Sequence, residues 1–274
     1  LGVATLTEGL LERLTLVSHN VAELVNLPPQ PADPFVGASA FAHKGGLHTS
    51  ALGRAGGSTY EHIDPELVGN HSRVLVSDLG GRAGIALKAR EFGVELDDRA
   101  AAALSEELKR LESLGWLFEA ADASLKLLML RSAGWRQEFF RVEAYRVSSY
   151  HREPPGSAEV DVSVEATVKI WVGDERIAAV GEGNGPVNAL DVALRQALNG
   201  RYPALERIHL TDFKVRVLDS VAATGAVVRV LIDSTDGEET WTTVGVSENI
   251  IEASWQALVD SIVYGLLHAA ADGS

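Results

Sequence analysis

The spacing of apolar residues changes once along the chain, near Gly134. Before it the period is helical. Leu6, Leu10, Leu14, Val17, Val21 and Leu24 recur at steps of three and four behind the capping pair Thr5 and Glu8, which predicts one helix with a buried stripe, stopped by Pro28 and Pro29. From Gln30 to Gly57 the residues are small and turn-rich, and only a short helix from His48 to Leu52 is expected there. Ala101, Leu104, Leu108 and Leu111 predict an amphipathic helix closed by Gly115, and Leu125, Leu128 and Met129 predict another before Gly134.

After Gly134 the period is two. Val160, Val162, Val164, Ala166, Val168, Ile170 and Val172 alternate with polar or bulky partners, which predicts a long antiparallel strand with one wet face. Gly173 and Asp174 turn it into a second strand ending near Val180, and a helix follows from Pro186 to Leu198. Phe213, Val215 and Val217 mark a further strand and Val228 to Ile232 another, and Asp236 with Gly237 forms a hairpin turn. A last helix is expected from Ile250 to about His268.

This half repeats itself. Shifting by 64 residues aligns Val180 with Val244, Gly181 with Gly245, Ala189 with Ala253, Ala193 with Ala257 and Leu194 with Leu258. Gly185 and Pro186 then face Asn249 and Glu252, two chemical solutions to starting a helix at one place. The expected fold is α+β: small helical linker subdomains, 1–75 and 76–134, followed by a domain of two βββα units over 135–274. Each unit has one apolar sheet face, to be buried against the other unit or a second chain.

Composition narrows the functions. With 24 Lys and Arg against 38 Asp and Glu the net charge is −14, and the parts on either side of Gly134 are both acidic, which argues against nucleic acid or anionic lipid as partner. The absence of cysteine excludes a disulfide scaffold, a thiolate metal site and a cysteine nucleophile, and fits a reducing compartment. No run of residues is read as a membrane span and Leu1 opens no basic signal region, so a cytoplasmic protein is expected.

Two regions carry candidate chemistry. Gly181, Gly183 and Gly185 before a helix resemble a phosphate loop, yet the strand feeding that helix comes from a hairpin and not from a parallel crossover. Ordinary helix capping is the competing reading. Two helix starts brought together would make a pocket for a carboxylate such as that of an amino acid. The segment AFAHKGGLHTSAL holds His43 and His48; with His62, Glu61, Asp64 or His71 a metal site is conceivable, but no HxxxH or HExxH spacing exists. Either histidine suits acid–base work, and Tyr60 suits donation to an oxyanion, while a purely structural role stays open for both.

AFAHKGGLHTSAL, with YEHIDPELVGN from Tyr60 and SDLGGRAGI from Ser77, resembles the region just after the catalytic barrel of citramalate synthase, 2-isopropylmalate synthase and their relatives. EGNGPVNALDVALRQAL and VGVSENIIEASWQAL resemble the regulatory, dimer-forming domain of the same enzymes. HKGGLH and GNGPVNALD are more similar to the citramalate branch.

The resemblance implies an acyltransferase that condenses acetyl-CoA with a 2-oxo acid, pyruvate in the citramalate branch and 2-oxoisovalerate in the isopropylmalate branch. It implies a divalent metal held by the barrel, which is absent from this sequence, so no cofactor is expected in this chain and the chain alone is expected to be inactive. It carries catalytic roles onto His48, which helps activate acetyl-CoA, and Tyr60, which polarises the thioester carbonyl, both acting on the partner subunit of a homodimer. Thr49 and Ser50 stand where relatives often have a polar residue and an aspartate. Residues 1–75 become an accessory subdomain with the His/Tyr segment, 76–134 a helical linker, and 135–274 a regulatory amino-acid-binding domain. Feedback by isoleucine, or by leucine in the alternative branch, is implied. The repeat places the effector at Gly183, Asn184, Gly185 and Asn188, and at Ser247, Asn249, Ile251 and Ala253. A stand-alone amino-acid-binding dimerisation module remains a different reading.

Overall fold

A computed structural model describes residues 9–24, 30, 32–37, 39–43, 61, 63–74, 81–136, 138–152, 161–218 and 225–272. They form two compact units, 1–109 and 110–274.

In the first unit a single 3-10 turn, Leu11–Arg13, leads into α1, Leu14–Leu24. The predicted helix is therefore present, but its stripe is not buried within the described residues: Leu10, Val17 and Val21 are 46%, 50% and 52% exposed. The partner seen for this region is the segment around Pro65–Val68, where the Thr15 hydroxyl donates to the Val68 carbonyl at 2.7 Å. That short turn is too small to cover an apolar face of about three turns. The turn itself follows from its sequence. Asp64 accepts from the Glu66 amide, Pro65 opens the turn, and Gly69 closes it at φ +67°, where a Cβ would stand 2.2 Å from the Glu12 carbonyl oxygen. Asn70 ties the segment down by donating to the Phe35 and Gly37 carbonyls. Strands β1 (Ala42–His43) and β2 (Arg73–Val74) pair in parallel. Helices α2 (Gly81–Glu91) and α3 (Asp98–Ser113) follow, the latter burying Leu104 and Leu108 and ending before Gly115 at φ +103°. The short helix expected at His48–Leu52 lies outside the described residues.

The second unit begins at Arg110, within the last turn of α3, and continues into α4, Asp122–Ser132, which buries Leu125, Leu127 and Met129. The doubled pattern then appears as expected. Strands β3 (Arg141–Arg152), β4 (Asp161–Val172) and β5 (Glu175–Gly183) form one antiparallel sheet, followed by α5, Pro186–Leu198. Strands β6 (His209–Val217), β7 (Val228–Thr235) and β8 (Thr240–Ser247) form the other, followed by α6, Ile250–Asp272. Both sheets have sequential strand order, and both helices return over the last two strands of their own unit. A single core takes Val164, Ala166, Val168 and Ile170 from β4, Val230 and Ile232 from β7, and the inner faces of both helices. The units thus bury their apolar faces against each other within one chain.

Four of the five identities of the repeat are packing residues in both copies, Val180 being exposed where Val244 is buried. A Cβ on Gly181 would lie 2.4 Å from the Ala193 amide nitrogen and 2.7 Å from the Ala189 carbonyl oxygen. On Gly245 it would lie 2.0 Å from the Ala253 carbonyl oxygen and 3.0 Å from the Ala257 nitrogen. Strand and helix backbones touch at the same point in both units, which only Gly against Ala allows.

Helix α6 is longer than expected. Its span Ile250–Ala271 is long and apolar enough to cross a bilayer by length and composition, which a search for an unbroken apolar run misses because Glu252, Gln256 and Asp260 interrupt it. In this fold it is a core helix, with Ala253, Ala257, Leu258, Ile262 and Leu266 buried.

Candidate functional site

The two helix starts are built from different chemistry. At α5, Gly185 holds an extended backbone without a side-chain cap, Pro186 takes the first helical position, and the Asn188 side chain turns back to accept from the Asn184 amide at 3.1 Å. Gly183 is glycine for a packing reason, since a Cβ there would lie 2.5 Å from the Ala189 nitrogen and 2.6 Å from Asn188 Oδ1. At α6, Asn249 Oδ1 accepts from the Ile251 amide at 2.9 Å, and the Ser247 hydroxyl accepts from the Asn249 amide at 3.1 Å. The capping pair Asn249 and Glu252 is only half formed. Glu252 instead accepts from the Tyr145 hydroxyl and from Gln256.

A cleft of about 600 Å³ opens beside α5. It is lined by Val187, Asn188, Asp191 and Arg195 of α5 and by His209, Leu210 and Phe213 of β6. Arg195 Nε donates to both carboxylate oxygens of Asp191, at 2.9 and 3.0 Å, and its Nη1 donates to the Leu205 carbonyl at 3.1 Å. This fixes an ion pair on the α5 wall, while Leu210 and Phe213 make the β6 wall apolar and Val187 adds to it from α5. Such a lining suits a small molecule with one apolar and one charged or polar end.

Of the residues selected from sequence, Gly183, Asn184, Gly185 and Asn188 cluster at α5, and Ser247, Asn249 and Ile251 cluster at α6. Asn188 alone of the eight lines the cleft. Ala253 is fully buried against Gly245 and serves packing. The sequence reading missed Asp191, Arg195, His209 and Phe213. The usable signal was the repeat alignment, in which Asp191 and Arg195 stand opposite Trp255 and Val259, charged against apolar on the same helix face.

His48, Tyr60, Thr49, Ser50 and His62 lie outside the described residues. His43 sits on β1, opposite Val74 of β2. Glu61, Asp64 and His71 line a separate depression with Ser72, whose hydroxyl donates to Glu61. Among the described residues no three His, Asp or Glu side chains converge as metal ligands.

Residues 119–266 match the family model of the LeuA allosteric (dimerisation) domain, and residues 35–115 match that of the homocitrate synthase post-HMGL domain-like family. The chain is 50% identical to an (R)-citramalate synthase of Streptomyces coelicolor over 98% of this chain and 50% of that protein. It is 47% identical to one of Aquifex aeolicus over 100% of this chain and 51% of the relative. A third, from Sulfolobus acidocaldarius, is 36% identical over 93% of this chain and 46% of the relative. The chain spans about half the length of the curated relatives it matches.

Proposed function

The chain belongs to the LeuA allosteric (dimerisation) domain family, and from that premise we propose that it is the accessory and regulatory C-terminal region of a citramalate synthase. The reaction is condensation of acetyl-CoA with pyruvate in isoleucine biosynthesis, performed with a catalytic barrel and held as a homodimer. The observation that carries this reading is the continuity of the similarity: relatives of one activity match across both units, including the segment with His48 and Tyr60, which a free-standing sensor has no use for.

His48 and Tyr60 supply acid–base and oxyanion chemistry to the acetyl-CoA thioester. The divalent metal of the reaction belongs to the barrel. The exposed stripe of Leu10, Val17 and Val21 supports a neighbour beyond this unit, since an amphipathic helix is stable when that face is covered.

The effector is isoleucine, with leucine as the alternative. Its branched side chain rests on Val187, Leu210 and Phe213, and its charged groups lie towards the α5 start, Asp191 and Arg195. The cleft's mixed lining supports this assignment.

The test is to mix the chain with the separately expressed other half of the Streptomyces coelicolor relative and follow free CoA. Condensation of acetyl-CoA and pyruvate only in the mixture, lost with His48→Ala and suppressed by isoleucine, is the expected result. No turnover from two folded halves would reject the catalytic assignment, and a melting temperature unmoved by isoleucine and leucine would reject the effector.

A further inference from the structure

Strand pairing fixes which residues of the two repeats occupy equivalent places. Val168 of β4 and Ile232 of β7 correspond under the 64-residue shift, are fully buried, and pair with Tyr145 of β3 and Phe213 of β6. Their neighbours along each strand point to the opposite, outer face of the sheet. There Ala144 pairs with Lys169 as Asp212 pairs with Asp233, and Arg146 pairs with Thr167 as Lys214 pairs with Leu231. On the third strand Ala178, beside Lys169, answers to Thr242, beside Asp233. The register breaks agree as well, lying between Val142 and Ala144 in β3 and between Leu210 and Asp212 in β6.

In the second repeat these positions form a closed charge cluster. Lys214 Nζ lies 2.7 Å from Asp212 Oδ2 and 3.0 Å from Asp233 Oδ2, and the Thr242 hydroxyl donates to Asp233 Oδ1 at 2.6 Å. In the first repeat the cation is kept and both acids are gone. Arg146 stands for Lys214, Ala144 for Asp212, and a second cation, Lys169, for Asp233. Glu143, which feels Lys169 through space, has both carboxylate oxygens held by Arg176. Among the described residues, Glu165 and Glu182 on the next row of the face form no ion pair with Arg146 or Lys169. What remains is a depression of about 270 Å³ lined by Ala144, Tyr145, Arg146, Thr167 and Lys169. Like charges on neighbouring strands oppose their pairing, and here no side chain offsets them.

We infer that this depression is a binding site for a small dianion, which gives Arg146 and Lys169 the two negative charges that Asp212 and Asp233 give Lys214. A phosphate group and a small dicarboxylate share that chemistry, and the Thr167 hydroxyl is a further donor for either. The occupant ties β3 to β4 across the outer face of the first sheet. None of its contacts belongs to the cleft between α5 and β6, so the site stands whether or not the effector reading does.

The test titrates the intact 274-residue chain with inorganic phosphate and, separately, with succinate, at an ionic strength held constant with sodium chloride, and follows the amide NMR spectrum. Saturable shifts at Arg146, Thr167 and Lys169 with one equivalent bound are expected, with Tm raised by about 2–5 °C at tenfold excess over Kd. Saturation by phosphate alone marks a phosphorylated ligand, and saturation by succinate alone a diacid. Ala144→Asp with Lys169→Asp copies the closed cluster into the first repeat and is expected to abolish binding. Asp212→Ala with Asp233→Lys opens the second and is expected to raise the stoichiometry from one to two. Should a cluster variant not fold, Arg146→Gln with Lys169→Gln decides the matter, with affinity expected to fall at least tenfold. No saturable shift with either anion, or equal binding by the glutamine variant, overturns the inference. So do shifts that chloride alone reproduces, and shifts that follow the concentration of the chain instead of the anion, which would give the site to carboxylates of a second copy.

Discussion

The two βββα units share a backbone plan and differ in what covers their last strand. Val180 and Val244 are the same residue at the same place, yet Val180 is 48% exposed and Val244 is fully buried. The cause is α4, which lies against β8 and has no counterpart beside β5 among the described residues. Ser124 accepts from the Val244 amide at 3.1 Å, and Gln256 accepts from the Val246 amide at 3.1 Å, so side chains satisfy the outer edge of β8. Identity between repeats thus marks the contact between strand and helix. Difference between them marks where the rest of the molecule attaches.

The largest expected effect tests the shared part. Gly245→Ala and Gly181→Ala should each destabilise by about 3 kcal/mol in urea unfolding, because the added Cβ meets backbone that cannot move alone. Gly185→Ala, with nothing within 4 Å and an extended backbone, should stay within about 0.5 kcal/mol. Equal tolerance at all three positions would break the equivalence of the units.

Ser124→Ala tests the unshared part. It strands a buried strand amide, and a loss of about 1–3 kcal/mol is expected, together with faster exchange of the Val244 amide. Asn249→Ala should cost about 1 kcal/mol, since α6 loses the acceptor for the Ile251 amide.

The smallest effect lies on the outer face of the first sheet. The Arg176 guanidinium beside Glu143 holds that carboxyl down at about 2, from an ordinary 4.5, helped by the Trp171 indole. A depressed acid contributes stability that is present above pH 4.5 and lost as pH falls towards 2. Arg176→Ala should return the Glu143 titration, followed by carboxyl NMR, to near its ordinary value. A titration already ordinary in the native chain would dissolve the pair.

Much of this was legible in the residues. Unbroken alternation from Val160 to Val172, the Asp236–Gly237 turn and Pro186 at a helix start each reflect local backbone preference, and the elements appear where those signals stand. The 64-residue shift extended them to topology because Gly and Ala at a backbone contact cannot drift. The cleft was less legible. Its apolar wall comes from β6, whose Phe213 reads as an ordinary strand residue until pairing sets it opposite Ile232. The stripe of α1 misled for a related reason: periodicity reports that a face is apolar, not what covers it.

Ser124 has a second bond, donating to Asp260 Oδ2 at 3.1 Å while Arg131 holds Oδ1 at 2.9 Å. Burial pushes the Asp260 carboxyl upward, and the guanidinium and the hydroxyl pull it back. One hydroxyl thereby closes a circuit through a strand amide and an acid on the long helix. Moving α4 sideways would strand the Val244 amide and part the buried Asp260 from its cation in the same step.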